Sequence, residues 1–390
     1  MTLPDFFAER FEDRDGRLRI LLTGIILIFM VSYVAAQFVG GGKAFSASFH
    51  LSQTSGILLT AGIVLIYTML GGFLAVSLTD MLQAIFMILA LVILPVVAIL
   101  HKGGLSAVLA QLQQLDASLI DPYALSFGAF IGFIGIGLGS PGNPHILVRY
   151  MSIADADQLR TSAVVGTLWN VVMAWGALFI GLAGRVYFPD VSMLPASDTE
   201  NLYPLLAQQH LHPILFGMVV ASIFAAIMST ADSQLLVAAS SVVRDVYEKV
   251  IHRGRELQQR QLVLYSRIVV FVLVILAILL GLIAQKLVFW LVLFAWAGLG
   301  ASLGPTSILA LFWRGTTRAG VIAGLLTGTL ITIIWYYTPV LKSSLYELVP
   351  AFFIAALVTV LVSRLTRPPR NADAMMELMR GKADRQSSKI

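Results

Sequence analysis

Residues 224–236 read Phe-Ala-Ala-Ile-Met-Ser-Thr-Ala-Asp-Ser-Gln-Leu-Leu, and polar side chains here interrupt an apolar run long enough to cross a bilayer. Such residues are costly, because a carboxylate near the centre of a spanning helix costs about 2.5–3.5 kcal/mol on insertion scales. They usually face a cavity, an ion or a partner. We call the five polar residues of this stretch the polar cluster: Ser229, Thr230, Asp232, Ser233 and Gln234.

The composition indicates a protein that crosses the membrane many times. Hydrophobic residues make up 58% of the 390 residues and charged residues 12%, and the mean hydropathy is +0.86. These values lie far outside the range of soluble domains. A helix needs about 20 apolar residues to cross the hydrocarbon core. Ten such runs predict an all-α polytopic fold, with spans at about 18–41, 51–73, 81–100, 124–145, 161–184, 211–242, 264–284, 288–313, 319–338 and 346–364.

The basic residues are placed as in a membrane protein rather than a nucleic-acid-binding protein. If the N-terminus is inside and the spans alternate, 21 of the 26 Lys and Arg residues lie inside. This bias agrees with the positive-inside rule. It predicts a multi-pass protein of the inner (plasma) membrane with both termini cytoplasmic, a membrane domain at 1–367 and a cytoplasmic tail at 368–390. The five basic residues left outside are Lys43, Lys102, Arg185, Lys286 and Lys342.

The spacing within the polar cluster suits an alkali cation. Ser229 lies four residues before Ser233 and three before Asp232, so these side chains overlap on adjoining faces of one helix. Their oxygens are hard ligands, whereas zinc or copper would call for His and Cys. The alternative is that each hydroxyl donates back to a carbonyl one turn earlier. Asp80 also has two interpretations, a helix N-cap at the membrane edge and a second carboxylate that approaches the cluster.

The fourth span is predicted to be interrupted. Residues 132–144 read Gly-Phe-Ile-Gly-Ile-Gly-Leu-Gly-Ser-Pro-Gly-Asn-Pro. Pro141 and Pro144 lack N–H donors, so this end of the span cannot be a regular helix. Interrupted helices are where transporters bind substrate, and a plain helix terminus is the alternative.

The sequence does not favour an enzyme. Gly300-Ala-Ser-Leu-Gly304 matches a hydrolase nucleophile elbow in form, but it lacks the preceding strand and an acid–base partner. Small residues that let helices pack closely explain it, as they explain the four-residue spacing of Gly320, Gly324 and Gly328. The sequence has no cysteine. No phosphate-loop, zinc or redox motif appears, so we expect no cofactor, with a cation as the coupling ion.

Several stretches together resemble the sodium:solute symporter family, with the bacterial sodium/proline symporters as the nearest members. The similarity extends from Thr2 to about Arg367. The motif that carries it is Ala226-Ile-Met-Ser-Thr-Ala-Asp-Ser-Gln-Leu-Leu236 followed by Ser240-Ser-Val-Val-Arg-Asp245. Supporting stretches are residues 2–13, Gly71-Gly-Phe-Leu-Ala-Val-Ser-Leu-Thr-Asp80, Pro144-His-Ile-Leu-Val-Arg149 and Ala295-Trp-Ala-Gly-Leu-Gly300.

The resemblance implies two inverted five-helix repeats, the amino-acid/sodium symporter type of core. It places the polar cluster on the eighth core helix and implies a main sodium site between this helix and the first. Its ligands would be the Ala226 carbonyl and the Ser229 and Thr230 hydroxyls. A second sodium site of some relatives matches Asp80, Ser229, Asp232 and Ser233. The implied substrate-binding residues are Tyr33, Gln37, Ile136 and Ser140.

The chain departs from the family pattern in two places. Proline carriers have aromatic residues near the substrate where this chain has Ile136 and Ser140, so another small amino or organic acid is an alternative substrate. Met1 corresponds to the interior of the family sequence. We therefore expect an N-terminally truncated chain, in which about three leading helices, including the first two core helices, are missing. A chain that works with a partner supplying those helices is the alternative.

The function predicted from these observations is secondary active transport. Sodium moving inward across the lipid bilayer would drive uptake of a small solute, most readily proline or a related amino acid. Proton coupling is a rival to sodium. A solute-sensing transmembrane module of a signalling system is the alternative of another class, although the short tail after Arg370 leaves no room for a kinase.

Overall fold

The computed structural model describes residues 2–252, 258–284 and 287–379, and within these ranges the chain is all-helical. Three basic residues that the positive-inside count assigns to a side, at 253, 255 and 286, lie outside the described residues, as does the tail after residue 379. The helices are α1 (Leu3–Arg10), α2 (Arg17–Phe49), α3 (Gln53–His101), α4 (Leu105–Leu115), α5 (Phe127–Gly135), α6 (Pro144–Met151), α7 (Gln158–Tyr187), α8 (Leu202–His210), α9 (Pro213–Ser240), α10 (Gln259–Ile283), α11 (Val288–Phe312), α12 (Arg318–Tyr337), α13 (Pro339–Ser344), α14 (Leu348–Leu365) and α15 (Ala372–Met379).

Nine helical segments in the described ranges are long and apolar enough to cross a membrane. They match nine of the ten predicted spans. The second and third of these spans are the halves of α3, Gln53–Gly72 and Val76–His101, which join at a break where Gly72 has φ +63°. Glycine adopts this left-handed conformation without the steric penalty of a side chain.

The predicted fourth span, at 124–145, is not a continuous helix. Helix α5 ends at Gly135, a 3-10 segment covers Ile136–Gly142, and α6 begins at Pro144. Because Pro141 has no N–H, the carbonyl four residues earlier loses its helical donor. The predicted interruption is therefore confirmed, and the chain continues beyond it as a further helix rather than ending there.

Helix α2 is the centre of the bundle. It packs against α3, α9, α10 and α11, and its large side chains Leu22, Phe29 and Phe38 are fully buried. A spanning helix that is apolar on all sides is expected to lie among other helices rather than at the lipid surface. The helix that carries the polar cluster, α9, lies directly against this centre.

A network of charges fixes α9 to the face of the bundle that carries Thr2, which we call the N-terminal face. Helix α9 continues to Ile251 as a π-helix. Arg19 Nη1 lies 2.6 Å from Asp5 Oδ1 and 3.2 Å from Asp245 Oδ1, and Lys249 also pairs with Asp5. Burial raises the pKa of Asp5, but hydrogen bonds from Lys249 and Arg19 outweigh it and hold this pKa well below its usual range.

A second network closes the opposite face. Lys43 Nζ, at the end of α2, lies 2.7 Å from Asp198 Oδ2 and 2.6 Å from Glu200 Oε2. Glu200 Oε1 also accepts a hydrogen bond of 3.1 Å from the Phe289 N–H at the start of α11. The long loop that carries both acids leads into the short helix α8.

Close packing explains two glycines of α12. A Cβ at Gly324 would lie 1.9 Å from Thr359 Oγ1, and one at Gly328 would lie 2.4 Å from the Ala301 carbonyl oxygen. The neighbour of Gly328 is backbone and cannot rotate away. These contacts confirm that the four-residue glycine spacing lets α12 approach α11 and α14.

We expect Gly328→Ala to destabilise the fold by about 1–3 kcal/mol, the usual cost of overpacking. Thermal unfolding in detergent measures the effect. The matched control is Gly217→Ala on α9, where a Cβ meets nothing within 4 Å; helix propensity predicts equal or slightly greater stability there. Equal unfolding temperatures for Gly328→Ala and the wild type would contradict the packing.

Asp5 predicts a loss of stability in acid. Because its folded pKa is depressed, the stabilisation is present above the unfolded pKa of about 4 and is lost as the pH falls toward the folded pKa. Between pH 6 and pH 3 the unfolding temperature of Asp5→Asn should therefore fall less than that of the wild type. In Asp155→Asn, in an exposed loop, the unfolding temperature should fall as much as in the wild type. An equal fall in Asp5→Asn would show that Asp5 does not cause the loss of stability in acid.

Candidate functional site

Helix α9 places the polar cluster on two sides of its middle turns. Asp232 and Gln234 have no exposed surface and Ser233 is 8% exposed, whereas Ser229 and Thr230 are half-buried. The apolar residues around the cluster favour the spanning helix, and the polar residues within it face the neighbouring helices. The cluster therefore has an inward carboxylate and an accessible pair of hydroxyls.

The structure shows the serine hydroxyls of the cluster bonded back to carbonyls of the preceding turn. Ser229 Oγ donates to the Ala226 carbonyl at 3.2 Å, and Ser233 Oγ donates to the Ser229 carbonyl at 2.8 Å. These are bonds back to the preceding turn, which serine commonly makes in spanning helices. The same geometry brings the Ala226 and Ser229 oxygens together, and hydroxyl oxygens keep lone pairs while they donate. Hydroxyl oxygens that donate to the preceding turn can therefore still contact a cation.

Asp80, Asp232 and Ser233 meet as the sequence predicts, but through a residue that the prediction left out. Arg149 Nη2 pairs with Asp80 Oδ2 and donates to Ser233 Oγ at 2.5 Å. Ser233 Oγ in turn lies 3.2 Å from Asp232 Oδ1. Three elements, the second half of α3, α6 and α9, therefore converge on one chain of polar atoms. The motif Pro144 to Arg149 was a usable signal, because it places a basic residue two turns beyond the interruption.

Several buried oxygens at this junction lack a hydrogen-bond partner among the described residues. They include Asp80 Oδ1 and Asp232 Oδ2, the second oxygen of each carboxylate. The Tyr67 hydroxyl is also unpartnered there, and it interacts electrostatically with both acids. Leaving a buried charged oxygen unsatisfied is costly in a medium of low dielectric constant. The arrangement therefore fits a bound cation, and its donors are the hard oxygens that alkali ions prefer.

Two cavities flank the cluster. One, of about 300 Å³, is lined by Gln37, Ala226 and Ile227 and reaches Lys43 and Glu200 at the face opposite the N-terminal one. The other, of about 710 Å³, is lined by Ser233, Arg149, Thr68 and residues of the N-terminal face such as Thr2. Ala226 and Ser233 are separated by two helical turns, about 10 Å. Ser229 and Thr230 lie between them, so a short stretch of α9 separates spaces that open toward opposite faces.

The structure brings only some of the predicted substrate residues to the smaller cavity. Gln37 lines it, and Tyr33 lies one turn earlier on α2, where it is buried against His145 with ring centroids 6.1 Å apart. Ile136 and Ser140 are not among the residues that line this cavity. The Ile136 carbonyl instead accepts from Trp296 Nε1 at 2.9 Å, and Ser140 is exposed. Trp296, on α11, is a second residue that the predicted site omits.

The sequence matches the sodium:solute symporter family over residues 1–328. The chain is 35% identical to the osmoregulated proline transporter of Bacillus subtilis (strain 168) over 374 residues. This aligned region covers 95% of this chain and 75% of that protein. It is 38% identical over 384 residues to the sodium/proline symporter of Staphylococcus aureus, which covers 95% of this chain and 73% of the relative.

The fold is similar to that of a solved membrane protein. A Na⁺-coupled sialic acid symporter, determined in a substrate-bound outward-open state, superposes with a TM-score of 0.76 at 20% sequence identity and covers 94% of this chain and 78% of its own. At that identity the likeness concerns the fold alone. The helical bundle, the interrupted helix and the sequence matches agree, and the chain belongs to the sodium:solute symporter family, as a multi-pass, sodium-coupled solute transporter and not an enzyme.

Proposed function

We propose that this chain carries proline or a closely related amino acid together with sodium. The observation that carries the proposal is the position of the polar cluster. Its accessible hydroxyls and its buried, incompletely paired carboxylate lie on one helix between two cavities that open toward opposite faces. A transporter of this kind needs a central site that can be reached from either side in turn.

The sodium ligands in this proposal come from the accessible side of α9. The Ala226 carbonyl and the Ser229 hydroxyl, 3.2 Å apart, bind the ion together with the Thr230 hydroxyl on the adjoining face. Asp232, two residues after Thr230 and on the buried side of α9, supplies negative charge. The expectation that Asp80, Ser229, Asp232 and Ser233 hold a second sodium is modified by Arg149, which already contacts Asp80 and Ser233.

The charge of the smaller cavity supports an amino acid over an organic acid. Lys43 and Glu200 both line this cavity, and they are paired at 2.6 Å. A wall whose lysine is already neutralised offers no free positive charge to an anion, whereas a zwitterion carries no net charge. Gln37 and Tyr33 remain the proposed substrate residues of α2. The Ile136 carbonyl accepts a hydrogen bond from Trp296, so in this proposal Ile136 contributes to substrate binding through its side chain.

The direction of transport follows from the proposed orientation. The positive-inside bias assigns the N-terminal face to the cytoplasm, which makes the smaller cavity the outer one. Sodium and substrate enter there, and binding of either raises the affinity for the other, because coupling between two sites is reciprocal. At a membrane potential of 100 mV, one inward charge contributes about 2.3 kcal/mol to uptake. Release occurs through the larger cavity beside Ser233.

Uptake of labelled proline tests the proposal. In cells without their own proline carriers, the expressed chain should take up proline in sodium medium and lose most of that uptake in choline or potassium medium at equal pH. The Staphylococcus aureus relative provides the positive control. An excess of unlabelled proline should compete, and an excess of an organic acid should not.

Three results would contradict this assignment. Uptake driven by a pH gradient without sodium would indicate proton coupling. Competition by organic acids alone would indicate a different substrate class. Sodium-dependent binding of proline by the purified chain without any uptake would favour a solute sensor over a carrier.

A further inference from the structure

Arg149 is the strongest feature of the site that the proposed function does not use. Its guanidinium reaches Asp80 on α3 and Ser233 on α9, although 69 and 84 residues separate these partners from it along the chain. A charge-assisted hydrogen bond from arginine to a carboxylate is among the stronger polar contacts. The 2.5 Å contact to Ser233 places the positive charge among the residues that the family resemblance assigns to a second sodium site.

The net charge of this group decides how many cations it accepts. When both are ionised, Asp80 and Asp232 each carry one negative charge, and the charged groups that act on Asp232 electrostatically are Asp80 and Arg149. Arg149 neutralises one of the two carboxylates, so the group keeps a single uncompensated negative charge. One monovalent cation balances this charge. A second would leave an excess positive charge in a medium of low dielectric constant, which is costly.

The contacts of Arg149 also favour a single bound cation. Arg149 contacts Asp80 Oδ2 and Ser233 Oγ, whereas the free carboxylate oxygen of Asp232, Oδ2, lies among buried atoms without a hydrogen-bond partner in the described part of the chain. Asp80 Oδ1 is unpartnered there as well, but Asp80 forms an ion pair with Arg149, whereas Asp232 forms none among the described residues. Arginine is suited to this fixed role because its guanidinium stays charged at every physiological pH.

We propose that Arg149 is the resident counter-cation of Asp80 and that it limits this chain to one sodium ion per transport cycle. This inference rests on the proposed function, since it concerns the number of sodium ions bound at the same site. Arg149 also joins α6 to α3 and α9, so it positions the helix that follows the interruption against the cation-binding helix.

The sodium dependence of thermal stability tests the proposal without requiring transport. Ligand binding stabilises a fold in proportion to the logarithm of ligand concentration once sites are nearly full, and two sites double the slope. The unfolding temperature is measured in detergent against sodium at constant ionic strength, with choline as the replacement ion. The wild type should follow a one-site dependence. Arg149→Gln should start less stable without sodium and gain stability about twice as steeply.

Two matched variants separate charge from damage to the fold. Arg149→Lys keeps the positive charge and should keep the one-site slope. The double variant Arg149→Gln with Asp80→Asn removes both charges, leaves Asp232 uncompensated and should also return to the one-site slope. If Arg149→Gln is too unstable to purify, Arg149→Met, which also removes the charge and keeps a long side chain, takes its place with the same expected two-site slope.

Two outcomes overturn the inference. One is a two-site slope in the wild type, and the other is a one-site slope in a folded Arg149→Gln variant. Both leave the proposed function intact, because sodium still binds. Absence of any sodium response in the wild type instead contradicts sodium coupling itself, and the inference falls with it.

Discussion

The buried carboxylate of Asp232 is the constraint on which the rest of the site depends. Its side chain has no exposed surface, and it lies in the middle of a helix that crosses the membrane. An ionised group in this position requires a positive partner or a cation. The hydroxyl of Ser233, the guanidinium of Arg149 and the accessible oxygens of the preceding turn all serve that requirement. The site is therefore a partly compensated charge, and in the proposed function a sodium ion completes the compensation.

The surrounding structure holds this charge in place from both ends of α9. At the N-terminal face, Asp245 is fixed by Arg19 at 3.2 Å and by the Thr2 hydroxyl at 2.7 Å. Near the other end, Ser222 Oγ lies 3.2 Å from the Tyr203 hydroxyl of α8. A helix fixed in this way is suited to be the stationary part of a transporter.

The sequence predicts the helices of this protein well and the contacts between them less well. Hydropathy locates nine regular spans, and Pro141 locates the interruption, because both depend on local composition and backbone chemistry. The polar cluster is visible for the same reason. Arg149 was missed as a site residue because its partners are distant in sequence and no local pattern connects them. Gln37 and Ala226 share a cavity that Ile136 and Ser140 do not line. This difference depends on how the 3-10 segment Ile136–Gly142 packs against α11, where Trp296 donates to the Ile136 carbonyl.

Equilibrium binding of labelled sodium to the purified chain tests the central claim, that the polar cluster is the sodium site. The wild type should bind sodium saturably, and both Ser229→Ala and Asp232→Asn should weaken binding at least about tenfold, equivalent to about 1.4 kcal/mol. Ser240→Ala, on the same helix two turns beyond Ser233, should bind as the wild type does. Unchanged affinity in Asp232→Asn, or an equal loss in Ser240→Ala, would contradict the account.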